Sequence, residues 1–136
     1  MAKTQGSRAP RTPRLPRQVT QAIDAARSKK AIEITVLDLR KTGAFTDQFV
    51  ICTGANPRQV HAIADAVEQS LKAAGVRPSH VEGYERAEWI LLDYFDFIVH
   101  IFAPETRQFY GLDRLWGNAT RIEIPDEEPA GQQARA

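Results

Sequence analysis

The sequence predicts a single α/β domain, built as one mixed sheet of four to five strands with helices packed on it. Three observations carry that prediction. The chain has 136 residues, enough for one real core and too few for two. Between Val19 and Ile124, short runs rich in β-branched and aromatic residues alternate with segments of helical periodicity. A helix-patterned segment after Pro57 lies between strand-patterned runs at 48–54 and 87–93. A strand, helix and strand in that order form a crossover unit, so the sheet is expected to mix parallel and antiparallel pairs.

Residues 1–18 carry Lys3, Arg8, Arg11, Arg14 and Arg17 with no acidic residue, and prolines at 10, 13 and 16. Proline removes backbone donors and opposes helix, and almost nothing there is apolar, so a disordered basic tail is expected. Val19, Ala22, Ile23 and Ala26 give Val19–Lys30 one apolar side and predict a short helix. Ile32–Leu39 follows as a β-branched strand, and Gln48–Gly54 as a second apolar strand. Asn56-Pro57 is a helix start, because the Asn side chain can accept from free backbone N–H groups and proline suits the first helical position. Val60, Ile63, Ala64, Val67, Leu71 and Ala74 then recur at helical spacing until Gly75. Residues 77–84 read as a loop.

The central stretch is GYERAEWILLDYFDFIVHIF, Gly83 to Phe102. It predicts two strands, Ala87–Asp93 and Phe97–Phe102, joined by a tight turn through Tyr94, Phe95 and Asp96. In the first strand Trp89, Leu91 and Asp93 share one face, and Ile90, Leu92 and Tyr94 the other. Both faces are apolar, so the hairpin is either covered on both sides or covered on one and offered to a partner on the other. Glu82, Glu85, Glu88, Asp93, Asp96 and Glu105 surround it against Arg86 alone. An apolar strand pair in an acidic frame suits a basic partner. After Pro104, Glu105–Trp116 predicts a last helix that buries Phe109, Leu112, Leu115 and Trp116, with Ile122–Ile124 as a short edge strand. Residues 125–136 are expected to be a disordered acidic tail outside the domain, 19–124.

Composition narrows the function classes. Apolar residues make up 43% and charged residues 26%, as in an ordinary soluble globule. No apolar run approaches the roughly 18 residues of a membrane span, and no secretory leader is evident, so cytoplasmic residence is expected. The single Cys52 fits a reducing compartment. The net charge of +1 joins a basic tail, a near-neutral domain and an acidic tail; a domain that binds nucleic acid directly would be strongly basic.

The search for a catalytic constellation fails. Cys52 lies within a strand, with no helix N-terminus of its own to lower its pKa. His61, His80 and His100 share no ligand spacing with one another or with Cys52, so no metal is expected. Thr53-Gly54 precedes a helix without the glycine-rich loop or Lys-Ser/Thr pair of a phosphate site. Asp38, Asp47, Asp93 and Asp96 supply no closely spaced carboxylate pair on one strand face. No cofactor is expected.

The segments TDQFVICTGANPRQVHAIADAVE (46–68), EGYERAEWILLDY (82–94) and FIVHIFAPETRQFYGLDRLW (97–116) resemble the Iojap-like family of ribosomal silencing factors. The resemblance covers Val19 to Trp116 in order and spacing. It implies a fold related to nucleotidyltransferases but without their active site, and a protein that is not an enzyme. It implies binding to the large ribosomal subunit at its subunit-joining face, through the basic ribosomal protein fourteen of that subunit, so that the small subunit is kept off and translation falls when nutrients are scarce. In this family the hairpin turn usually has Gly between Tyr and Asp; here Phe95 stands there and adds an exposed aromatic. The expected partner-binding residues are Trp89 as anchor with Leu91 and Tyr94 beside it, the carboxylates of Glu82, Glu88, Asp93 and Glu105, and His100 supporting the strand from its neighbour. Which hairpin face is outward stays open: if Ile90 and Leu92 face out, Trp89 belongs to the core. Three alternatives accompany this reading. They are a degenerate nucleotidyltransferase-like enzyme, weak contact of ribosomal RNA by the basic tail, and a homodimer through the hairpin when no ribosome is present.

Overall fold

The computed structural model describes residues 15–126; most of both expected tails lies outside these residues. Among the described residues the chain forms α1 (Arg17–Ser28), β1 (Ile32–Asp38), β2 (Gln48–Thr53), α2 (Pro57–Ala73), β3 (His80–Glu82), β4 (Trp89–Asp93), β5 (Phe97–Phe102), α3 (Pro104–Tyr110), α4 (Leu112–Leu115) and β6 (Thr120–Ile124). The six strands make one mixed sheet in the order β3-β4-β5-β2-β1-β6. β2 and β5 are parallel, and every other neighbouring pair is antiparallel.

The expected mixed sheet is present, with three changes. The parallel partner of β2 is β5 and not β4, because the hairpin inserts its second strand beside β2 and turns its first outward. Residues 80–82 form β3 on the outside of β4, although three consecutive exposed residues carry no alternation to read. The last helix breaks in two at Gly111, whose φ of 58° is left-handed. That break turns Phe109 (79% exposed) and Leu115 (71%) to solvent, while Leu112 and Trp116 pack on the sheet as expected.

The start of α2 forms as the sequence indicates, with the Asn56 side chain accepting from the Gln59 N–H at 2.9 Å and Pro57 in the first turn. The Gln59 amide also donates to the Lys29 and Lys30 carbonyls at 3.0 Å each, so the start of α2 is tied to the end of α1. The two helices roof one sheet face with Val19, Ala22, Ile23, Val60, Ile63, Val67 and Leu71 over Ile34, Val36, Val50, Ile90, Leu92, Val99 and Ile101. Cys52 belongs to this core, and burial pushes its thiol up to about 12. It is a packing residue and not a nucleophile. The second face carries Leu37, Phe49, Ile51, Ile98 and Phe102, with Leu112 and Trp116 from the α3–α4 segment and the loop residues Ala44 and Ala119 against them.

The β4–β5 turn places Phe95 at φ 75°. Hydrogen bonds hold it there: its N–H donates to Asp93 Oδ1 at 2.8 Å, and its carbonyl accepts from Thr46 Oγ1 at 2.8 Å. A side chain in this region costs about 1–2 kcal/mol, and the ring, 74% exposed, recovers little by burial. Phe95→Gly should therefore raise stability by up to about 1 kcal/mol after the greater entropy loss of glycine, whereas Phe95→Ala should not. Urea denaturation of the three proteins checks this; equal gains for Gly and Ala would place the cost in the ring and not in the backbone.

Candidate partner-binding surface

Strand register decides which expected residues meet. Across the sheet Glu82 pairs with Leu91, Leu91 with His100, and His100 with Ile51. Directly paired residues point to the same side, so these four form a row on the second face. A parallel row runs His80, Asp93, Ile98 and Phe49, and another Trp89 and Phe102. Glu82, Trp89, Leu91, Asp93 and His100 therefore share one face, the face away from α1 and α2. Trp89, Leu91 and Asp93 are half-buried and Ile90 and Leu92 are buried, so the orientation that makes Trp89 outward is the one that forms.

Tyr94 is the exception. It is 8% exposed, belongs to the core under α1 and α2, and stacks on Phe97 at 5.0 Å. Strand alternation sends it to the opposite side from Trp89, so it cannot lie beside Trp89 in a contact surface. Burial raises its phenol far above the usual range.

Trp89 is built into an aromatic cluster. Its ring stacks on Phe102 at 4.9 Å and meets Tyr110 at 4.8 Å. Tyr110 is an aromatic of this surface that helical periodicity alone did not single out, because the break at Gly111 resets the helix face. The Trp89 Nε1–H donates to His100 Nδ1 at 3.0 Å. An accepting Nδ1 places the imidazole proton on Nε2. Among the described residues that N–H has no oxygen or nitrogen partner, and the ring meets Phe49 edge-on at 4.5 Å. His100 is 3% exposed, and desolvation lowers its pKa to about 3. It is a neutral ring that fixes the Trp89 indole from the neighbouring strand.

The acidic residues sit at the margin of this face. Glu82 and Glu88 are exposed; Glu82 lies 2.5 Å from His80 and Glu88 lies 3.6 Å from Arg86. Asp93 accepts from the Phe95 N–H. Glu105 is exposed in the first turn of α3, and the residue before that helix, Ala103, donates its N–H to the Glu88 carbonyl at 2.9 Å. The arrangement is an aromatic and aliphatic centre with carboxylates around it. Among the described residues no group of His, Cys, Asp and Glu could hold a metal ion, and no helix is long and apolar enough to cross a membrane.

Comparison with known proteins agrees with the resemblance in the sequence. The family model described as ribosomal silencing factor during starvation matches residues 12–136. The ribosomal silencing factor of Halalkalibacterium halodurans is 36% identical over 103 residues, 76% of this chain and 88% of that protein. The chloroplastic protein Iojap of Zea mays is 38% identical over 104 residues, 74% of this chain and 44% of that protein. A solved structure of a protein from Chromobacterium violaceum superposes with a TM-score of 0.72 at 37% identity, covering 74% of this chain and 83% of that one.

The state of His100 gives a test with a definite sign. The unfolded imidazole takes up its proton near pH 6.5 and the folded one only near 3, so between those values the unfolded chain binds more protons and stability falls as pH falls. Relative to His100→Asn, the wild type should lose about 2 kcal/mol between pH 7 and pH 5. Thermal or urea unfolding at the two pH values measures it; parallel losses would mean that the folded ring is readily protonated.

Proposed function

Because this chain belongs to the family of ribosomal silencing factors, a family of regulators and not of enzymes, we propose that it binds the large ribosomal subunit at its subunit-joining face and sterically keeps the small subunit from joining. The observation that carries this reading is the acidic-rimmed Trp89–Leu91 surface on the less covered face of the sheet. Its charge suits a basic protein better than RNA phosphate, and the resemblance names ribosomal protein fourteen of the large subunit as that protein.

Trp89 is the anchor. It offers a large apolar area at low entropic cost, already held by His100, Phe102 and Tyr110. Leu91 lies beside it, and Glu82, Glu88, Asp93 and Glu105 face lysines and arginines of the partner. Exposed carboxylates of this kind steer approach and fix orientation more than they add affinity, and their effect falls with salt. His100 contributes indirectly, and Tyr94 contributes to the core only. The basic residues Lys3, Arg8, Arg11, Arg14 and Arg17 add a weak, salt-sensitive attraction to ribosomal RNA. In the absence of ribosomes the same surface pairs two copies, so that dimer and ribosome complex compete for it. Repression under nutrient limitation in the cytoplasm completes the reading, and the starvation in the description of the matching family supports it.

Co-sedimentation with isolated large subunits, followed by addition of small subunits, tests the proposal. Wild type should bind and block joining, and Trp89→Ala should bind at least about tenfold more weakly. Glu82→Lys combined with Glu88→Lys, both exposed, should slow association without loss of fold. A Trp89→Ala protein that binds like wild type would place the surface elsewhere; wild type that never binds large subunits would refute the function.

A further inference from the structure

Neither α3 nor α4 contains a buried residue, yet this segment places Tyr110 over Trp89. Apolar burial is thin here, and a polar contact takes its place. Arg107, one turn before Tyr110, is only 12% exposed. Its guanidinium donates to the Glu33 carbonyl, to Thr53 Oγ1 at 3.1 Å and Thr35 Oγ1 at 3.2 Å, and to Asp113 Oδ2 at 2.9 Å. One side chain thus joins α3 to β1, β2 and α4.

The groups around it are arranged to receive it. Register slips between Ile32 and Thr35, and at this β-bulge Glu33 takes φ 54°; the carbonyl of that strained residue is the one Arg107 reaches. Bulges re-aim backbone groups, and strain persists where surroundings enforce it. Both hydroxyls are buried and pass the interaction on, Thr53 donating to Glu33 Oε1 at 3.2 Å and Thr35 to Glu123 Oε1 at 3.1 Å. Burial alone would raise the Asp113 carboxyl, but the Arg107 hydrogen bond and charge, with Arg121 behind them, hold it below the usual range. The adjoining cavity of about 490 Å³ sets Arg107, Arg114 and Arg121 against Glu33, Asp113 and Glu123. Its charges balance, which suits an internal clamp and not an anion site.

We infer that Arg107 is a positioning residue of the partner-binding surface: pinned to the Glu33 bulge, Thr35, Thr53 and Asp113, it holds α3–α4 so that Tyr110 covers Trp89. The inference rests on the Trp89 surface being the one that docks. Arg107 touches no partner itself and acts through Tyr110.

A double-mutant cycle on large-subunit binding tests this, with wild type, Arg107→Met, Tyr110→Ala and the double variant. Each single change should weaken binding about tenfold, and the double no more than the weaker single, because both remove the same contact. Multiplying losses, or an Arg107→Met protein that binds like wild type, would overturn the inference. Arg107→Met leaves Asp113 half-paired, so Arg107→Met with Asp113→Leu, which removes both charges, serves if the single variant is unfolded. Amide hydrogen exchange separates this idea from the binding reading. In Arg107→Met, residues 104–116 should exchange faster while β2 and β5 stay protected, whether or not large subunits bind. Uniform acceleration would make Arg107 a general stabiliser and overturn the inference; absence of binding by wild type would refute only the docking reading.

Discussion

Everything in this fold follows from β2 and β5 lying side by side in parallel with every residue buried on both faces. A parallel pair needs a covered crossover, and a doubly buried pair needs two roofs. α1 and α2 supply one roof completely. The second is supplied by an eleven-residue stretch, Pro104 to Leu115 less its glycine break, which reaches β4 where Tyr110 meets Trp89 and leaves Leu91 half-buried. The half-buried state of Trp89 and Leu91 is therefore a geometric remainder of the sheet's own requirement for burial, and the proposed binding surface coincides with that remainder.

How the smaller roof is held differs from the larger one. Under α1 and α2 the contacts are apolar and diffuse, so single losses are graded. Under α3 they converge on one guanidinium whose partners come from separate parts of the chain. Such an arrangement is no stronger than packing, since the cost of removing a buried ion from water offsets much of its attraction. It is more directional. A fan of four donors in one plane admits one helix orientation, and orientation is what an aromatic contact surface needs.

Much of this was legible in the sequence, and the illegible parts have identifiable physical causes. Asn56-Pro57 and the apolar spacing after it specify α2 locally, and the hairpin's alternation placed Trp89, Leu91 and Asp93 on one face. Alternation could not say which face was outward; that depends on where α1 and α2 pack, a property of the whole chain. Tyr94 belongs to the Ile90 and Leu92 side by the same alternation, so its separation from Trp89 is legible in the sequence. β3 was missed because three exposed residues have no period. The break at Gly111 was missed because Phe109, Leu112, Leu115 and Trp116 keep helical spacing across a residue that is free to leave the helix. The Arg107 clamp had no signal at all, since its partners are 6 to 74 residues away and include a main-chain carbonyl exposed only by a bulge.

The sheet is open, and open sheets risk adding strands without limit. Both outer strands here are poor templates. β3 offers three residues, two of them ionisable, and β6 carries Arg121 and Glu123 and is followed by Pro125. Extension edge to edge, the route to fibres, is thus discouraged at both ends. What remains among the described residues is a partly roofed face of limited area, the surface proposed for docking. On the proposed docking reading, the blunted edges favour one partner per molecule over open-ended assembly.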